Sequence, residues 1–456
     1  MSHASASLRP APAVPRNLEQ FPELHPPLDP QSAIAEANRC LFCFDAPCTG
    51  ACPTHIDVPR FIKKIASGNL RGSASTILDA NILGLSCSRV CPVDVLCEGA
   101  CVLHRYNKKP IEIGRLQRYA MDAFYAASGG VAAPFPVPPV ADRTQKAACI
   151  GGGPASLACA AELRRHGYPV AVFDNRAFPG GLNTYGVAEY KLRPSDSLRE
   201  VEMVRSLGVE FRQADVGVSV SLEAIEEEFA LVFLGMGLGA MERLDIPGED
   251  LRGVIDALHF IERYKTAADF AVGKRVVVIG AGNTAIDAAN AARRLGAEEV
   301  HIFYRRTERE MPAFGFEFAH AKLEGVRFHW LAQPVEIFGR DGRVTGVKFQ
   351  ETSLSGTHAG GRRKVLPVPG VFFECACDML IPALGQSRLT GLLEHKQGLE
   401  VSGGVIVVER ATGQTGNPRY FAGGDCVNGG REVVDAVADG KRAAAGMIAR
   451  LGARHG

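Results

Sequence analysis

The chain has 456 residues, enough for two to four domains at about 150 residues each and for cores that need no disulfide staples. Its 51 Lys and Arg against 50 Asp and Glu leave a formal charge of +1, which excludes a broad electrostatic footprint for nucleic acid or an anionic membrane. Composition is otherwise that of an ordinary globular protein, 46% hydrophobic and 22% charged, and no run approaches the roughly 18 apolar residues of a membrane helix. Two features stand out: 50 glycines and 13 cysteines.

Met1–Asn17 is rich in Ser, Ala and Pro and has no basic segment followed by an apolar core, so residues 1–30 are expected to be a flexible leader of a cytoplasmic protein. Thiols are reduced in that compartment, and a dense cysteine pattern there signals metal binding or catalysis. Eight of the thirteen fall between Cys40 and Cys101, in a domain expected over residues 31–128. Its apolar periodicity predicts helices at Gln31–Cys40, Val58–Gly68, Ser73–Asn81 and Leu116–Ala127, and no strand. The spacing is C-x2-C-x4-C-x3-C-P at Cys40, Cys43, Cys48 and Cys52, then C-x3-C-x5-C-x3-C at Cys87, Cys91, Cys97 and Cys101. Short-spaced thiolates of this kind hold iron–sulfur clusters, and a Cys-Pro ending marks a fourth ligand that serves the other cluster. Structural zinc is the competing reading, although zinc sites usually pair two separated C-x2-C units. Cys149, Cys159, Cys375, Cys377 and Cys426 lack paired spacing and read as small buried hydrophobes.

A Gly- and Pro-rich linker is expected over 129–145. Beyond it, short β-branched runs alternate with Ala-rich helices, the pattern of βαβ units on a parallel sheet. The first unit, from Ala147, carries Gly151-Gly152-Gly153-Pro154-Ala155-Ser156. Gly151 suits the tight turn and Gly153 the approach of a pyrophosphate, while Ser156 takes the helix-packing position. Asp174 and Asn175 end the next strand, where an acid accepts from a ribose hydroxyl. Near the C-terminus, Gly424 and Asp425 close a strand and Val433 opens a helix, the second half of a flavin site in proteins with two dinucleotide folds. The pair is assigned to FAD. The second unit, from Lys274, has Gly280, Gly282 and Ala285 at the fingerprint positions, Asn283 and Thr284 begin its helix, and its next strand ends in Arg305 and Arg306. Two guanidiniums clamp a 2′-phosphate, which favours NADPH over NADH. Ala383, Leu384 and Gly385 are expected where the two nucleotide domains meet. The fold class is therefore α/β: an all-helical iron–sulfur domain, then a FAD domain in two parts (146–265 and 378–456) with the NAD(P) domain (266–377) inserted between them, as in glutathione reductase-type folds. Residues between Val335 and Glu374 alternate as antiparallel strands.

Nicotinamide delivers electrons in pairs and clusters accept them singly, so a flavin is the necessary converter. No Ser-His-Asp or H-E-x-x-H arrangement supplies a substrate site, and the chain reads as the electron-input half of something larger.

The segments CLFCFDAPCTGACPTHIDVPRFIKKIASGNLRGSA, LSCSRVCPVDVLCEGAC and IEIGRLQRYA resemble the N-terminal part of dihydropyrimidine dehydrogenase, and the nucleotide segments continue the resemblance from about Ser32 to the C-terminus. It implies the flavoprotein subunit of a two-subunit form, lacking the FMN barrel, and a partner that carries FMN and iron–sulfur clusters, in a heterotetramer that interconverts uracil or thymine and dihydropyrimidines. It further implies two [4Fe-4S] clusters, one on Cys40, Cys43, Cys48 and Cys101, the other on Cys52, Cys91, Cys97 and Gln117, with Cys87 free. Flavin contacts are implied for Gly180, Gly181, Leu182 and Lys191. Lys191 stands where the family often has arginine, and Pro312 where its long form has a basic residue for the 2′-phosphate, so NADH stays open as the alternative. The small subunit of glutamate synthase shares the cluster–FAD–nucleotide plan and is the alternative function, along with a general NAD(P)H:acceptor oxidoreductase.

Overall fold

The computed structural model describes residues 21–127, 134–135, 138, 145–267, 270–356, 363–388, 391–393 and 396–452; most of the leader and linker lie outside them. The first domain is helical: α1 (Pro30–Asn38), α2 (Pro47–Ala51), α3 (Val58–Ala66), α4 (Leu70–Ala80), α5 (Gly84–Val90) and α6 (Ile113–Ala127). Asp29, Asp57 and Asn69 cap three of these helices with their side chains, which satisfies backbone donors that have no partner inside the helix. The four expected helices are present within a few residues. Two short ones escaped the apolar periodicity, α2 and α5, each too brief to show a stripe. Both carry cysteines.

The second domain is a five-stranded parallel sheet in the order β14-β4-β1-β2-β3, built from β1 (Ala147–Ile150), β2 (Val170–Asp174), β3 (Glu210–Gln213), β4 (Leu231–Leu234) and, from the far end of the chain, β14 (Tyr420–Ala422). Around it lie α7 (Pro154–Arg165), α8 (Leu182–Tyr185), α9 (Pro194–Ser206), α10 (Leu222–Glu228), α14 (Asp425–Asn428) and α15 (Val433–Gly452). β1 and β4 are buried at every position, as strands covered on both faces must be. The third domain follows α11 (Ala257–Thr266) with β5 (Arg275–Ile279), α12 (Asn283–Arg294), β6 (Glu299–Tyr304), α13 (Gly315–Leu323) and β7 (Arg327–Trp330). A three-stranded antiparallel meander comes next, β8 (Ala332–Arg340), β9 (Arg343–Ser355) and β10 (Lys364–Ala376), then β11 (Met379–Pro382). The remaining pair, β12 (Val401–Ser402) and β13 (Val405–Ile406), is a small hairpin.

Three expectations about boundaries need correction. β11 pairs in parallel with β5, so residues 379–382 complete the inserted domain's sheet rather than the FAD domain. α11 buries Phe260, Ile261 and Tyr264 in the same core as α12, so it too belongs to the inserted domain. The real junction is a pair of crossing strands, where Met241 bridges Gln386 and Gly239 N donates to Ser387 O at 2.9 Å. Composition could not place it, because the crossing strands carry no Pro-rich punctuation. Thirdly, Phe21–Asp29 is no free leader: Phe21 is 4% exposed and stacks on Tyr264 of α11. Leu24 N donates to Tyr190 O, and Arg118 of α6 donates to His25 O at 2.6 Å.

The helical domain shares one continuous core with the first nucleotide domain. Its anchor is Glu200 on α9, 1% exposed, whose Oε1 accepts from Leu85 N at 2.8 Å and Ser86 N at 3.0 Å while Oε2 accepts from the Ser86 hydroxyl. Burial pushes its carboxyl up to about 7. Truncation by Glu200→Ala strands two buried N–H groups and is expected to cost about 2–5 kcal/mol, measured by denaturant unfolding. Because the folded carboxyl titrates above its ordinary value, its contribution is fully present below about pH 4.5 and is lost as pH rises toward 7, by at most about 3 kcal/mol. Glu200→Gln should flatten that slope.

Candidate cofactor sites

Cluster-type ligands must point inward from several elements at once, and the short helices do this by ending at cysteines. Cys40 follows Arg39, the C-cap of α1, Cys48 lies in α2, Cys52 caps its end, Cys87 lies in α5 and Cys91 caps its end. Cys101 starts a 3-10 turn. Cys40, Cys43, Cys48 and Cys101 together line a small apolar cavity with Pro47, Val58, Ile62 and Ile113. That is the grouping the resemblance implied for one cluster, drawn from both halves of the motif. Burial raises the Cys40 thiol and pushes Cys48 up to about 11, so the free thiols stay protonated and metal binding would release their protons. Among the described residues no three His, Cys, Asp or Glu side chains converge on a single-ion position. Thiols spread around a cavity suit a multi-atom cage better than tetrahedral zinc, whose sulfurs sit about 2.3 Å from one ion.

A second group gathers deeper, where Cys91 feels Cys87, Cys97 and Cys52, and Cys97 feels Cys52. Gln117, 8% exposed on α6, donates from Nε2 to Gly84 O at 2.8 Å at the start of α5. Cys87, expected to be free, therefore stands in the same neighbourhood as the three thiols, and Gln117 reaches the helix that carries it.

The nucleotide sites open into one cavity of about 1120 Å³ between the two sheets. Its FAD-side wall is Gly151–Ala155, Asp174, Asn175, Gly181, Leu182, Gly424, Asp425 and Val433; its other wall includes Gly282, Asn283 and Thr284. Gly151 has φ +90°, and a Cβ there would meet Gly235 O at 2.6 Å, so only glycine makes this turn. In front of Gly153 and Gly282 the space is open: a Cβ would find no atom nearer than 4.0 Å. Both open cradles face the N-termini of α7 and α12, the geometry that receives a pyrophosphate. Asp174 accepts from Gly152 N at 2.5 Å and from Arg176 N at 2.7 Å; it braces the turn and is raised by burial. Asp425, likewise raised, accepts from Arg431 N.

Other expected residues fall elsewhere. Ser156 is fully buried and Gly235 leaves room for its hydroxyl, a packing role. Gly180 turns behind Thr184 and Ser197. Gly280, at φ +124°, abuts Ala383 O, and Ala383–Gly385 runs from β11 to the domain crossing, where Glu242 N donates to Gly385 O. Arg305 and Arg306 lie off the cavity, their carbonyls accepting from the Thr352 hydroxyl and Leu331 N. Lys191 does line the cavity, but its ammonium lies 2.6 Å from both Asp287 Oδ1 and Glu317 Oε1. Those two acids were missed. Asp287 sits one turn after Asn283 in an Ala-rich helix and could have been noticed; Glu317 has no local signal at all.

The chain matches two family models: dihydropyrimidine dehydrogenase domain II, 4Fe-4S cluster, over residues 17–128, and pyridine nucleotide-disulphide oxidoreductase over residues 145–440. It is 36% identical to the glutamate synthase [NADPH] small chain of Escherichia coli (strain K12), across 94% of this chain and 93% of that one. It is 35% identical to the putative oxidoreductase AegA of the same organism, across 95% of this chain and 68% of that one. Among solved structures, FprA of Mycobacterium tuberculosis in complex with NADPH superposes with a TM-score of 0.57 at 20% identity, over 69% of this chain and 86% of that one, a likeness of fold.

Proposed function

The chain belongs to the pyridine nucleotide-disulphide oxidoreductase family, and from that premise we propose that it is the NADPH-oxidising, electron-input component of a larger redox enzyme. FAD would take the wall at Gly153 and Val433, the nicotinamide dinucleotide the wall at Gly282, and two [4Fe-4S] clusters the two cysteine groups. The flavin would supply the exchange between paired and single electrons. The observation that carries the reading is the shared cavity: both open glycine cradles face one space. The protein's part is to hold two cofactors against each other and to keep the thiol groups packed on the same core as the flavin wall.

For the electron acceptor, near end-to-end similarity to a glutamate synthase small chain favours a large subunit that turns 2-oxoglutarate and glutamine into glutamate. The family model of residues 17–128 and the cysteine-segment resemblance keep an FMN-bearing, pyrimidine-reducing partner as the second reading. Anaerobic mixing with NADPH should bleach bound flavin within a turnover. NADPH oxidation with each partner, dependent on 2-oxoglutarate plus glutamine or on uracil, then decides between the acceptors. No helix among the described residues is long and apolar enough to cross a membrane.

Arg305 and Arg306 lie beyond the cavity wall, directly after β6, the end of a dinucleotide unit's second strand that takes the adenosine ribose, and on that ground are proposed to meet the 2′-phosphate. Replacing both by Gln should raise KM for NADPH about 10–100-fold, the worth of one or two charge-assisted hydrogen bonds, with NADH turnover little changed. Steady-state kinetics with the two nucleotides checks this.

A further inference from the structure

Lys191, Asp287 and Glu317 form a buried charge group on the cavity wall, and its balance is uneven. One ammonium sits 2.6 Å from two carboxylates, with side chains 8–9% exposed. Asp287 has further support, since the Tyr190 hydroxyl donates to its Oδ1 at 2.8 Å and Asn290 Nδ2 in turn donates to that hydroxyl. Glu317 has none: its Oε2 is buried without a hydrogen-bond partner, although the residue lines the cavity. Every other charged group facing it leaves the excess negative or distant. Glu432, just before α15, adds a third acid. His320, a turn further along α13, is engaged with Arg294 of α12 and with Glu324.

The fold says what reaches this spot. In a βαβ dinucleotide unit the pyrophosphate sits at the helix start and the adenosine ribose at the end of the second strand, here Gly282–Asn283 and Arg305. The other half of the dinucleotide must run the opposite way from Gly282, along the wall that holds Asp287 and Glu317 toward Glu432 and the flavin side. That half ends in a ring that is neutral when reduced and a cation when oxidised. A carboxyl with one unsatisfied oxygen, in a site already short of positive charge, distinguishes those two forms.

Resting on the nucleotide reading above, we propose that Glu317 is the charge-compensating residue of the nicotinamide: a neutral acid opposite the reduced ring and a carboxylate opposite the pyridinium. When hydride leaves the ring carbon with its electron pair for the flavin, the ring gains one positive charge; Glu317 gives its proton to solvent through the open cavity and gains one negative charge. The pair is neutral before and after, so the developing cation needs no counter-ion from outside. Burial raises the Glu317 carboxyl to about 7, so both forms are accessible at ordinary pH, with Lys191 favouring the ionised one.

The test is isothermal titration calorimetry of the oxidised holoenzyme at pH 7 in two buffers of different ionisation enthalpy, with NADP+ and with 2′-phospho-ADP-ribose, which keeps every phosphate and lacks the nicotinamide. NADP+ should release about half a proton per site more than 2′-phospho-ADP-ribose, because release from the shared 2′-phosphate cancels. In Glu317→Gln, the two ligands should release the same amount. In the wild type the Kd of NADP+ relative to that of 2′-phospho-ADP-ribose should tighten about tenfold from pH 6 to pH 8, a readout that needs no variant to fold. Equal proton release by both ligands, release unchanged in Glu317→Gln, or a flat Kd ratio overturns the proposal. Failure of either ligand to bind overturns the nucleotide reading itself, and the proposal with it.

Discussion

Replacing Cys97 with alanine is expected to cut electron delivery to a partner by at least about 100-fold, roughly 2.7 kcal/mol of barrier, while flavin reduction by NADPH continues. Cys97 lies in the deeper thiol group, near Cys52 and Cys91. With two [4Fe-4S] clusters bound as proposed, iron content should fall from about eight to about four atoms per chain as one of them is lost. A small-molecule acceptor that takes electrons directly from flavin should still be reduced at close to the parent rate, and this contrast separates a broken wire from a broken enzyme. The companion substitutions identify the fourth ligand of that cluster. If Gln117 holds it, Gln117→Leu should shift the cluster's electron paramagnetic resonance spectrum while Cys87→Ala leaves iron and spectrum intact; the reverse outcome would assign Cys87.

Much of this arrangement is legible in the sequence because the relevant signals are local. Within each glycine fingerprint the strand that precedes it and, for the first, the acid at Asp174 lie within about 30 residues of the glycines, and short-range periodicity reports them well. The antiparallel meander at β8–β10 is equally local. What the sequence hides is contact across the chain. β11 lies beside β5, some hundred positions earlier, and nothing in MLIP says which sheet it joins. Glu200 looks like one more acid on an amphipathic helix until α5 is laid against it. Lys191 reads as a flavin contact through family resemblance, but its two acidic partners come from α12 and α13. Phe21 is a lone aromatic in a polar leader, and its burial depends on Tyr264. Each miss is a long-range pairing: those of β11, Glu200 and Phe21 bear on how the domains are held, and that of Lys191 on the wall of the nucleotide cavity.

The two fingerprints make a second, sharper contrast. Gly151→Val should abolish flavin binding and Gly280→Val should not, although both replace the first glycine of the same motif. At Gly151 the side chain would enter a backbone at φ +90° and strike Gly235 O at 2.6 Å, distorting the turn that aims Gly153 and α7 at the pyrophosphate. At Gly280, φ +124° and Ala383 O at 2.3 Å impose an equal clash, but the distortion falls between β5 and β11 in the inserted domain. A left-handed or strained site of this kind costs of order 1–3 kcal/mol before the clash is counted, too much for either turn to survive unchanged. The Gly151 variant should therefore purify with iron and without the flavin absorbance near its usual bands. The Gly280 variant should keep flavin and iron yet lose at least about 100-fold in the rate of flavin reduction by NADPH, or about 2.7 kcal/mol. Dithionite, which needs no nucleotide site, should still reduce that flavin fully. Loss of flavin from both variants would mean that the two walls of the cavity fold as one unit, and that the inserted domain is required to form the FAD site.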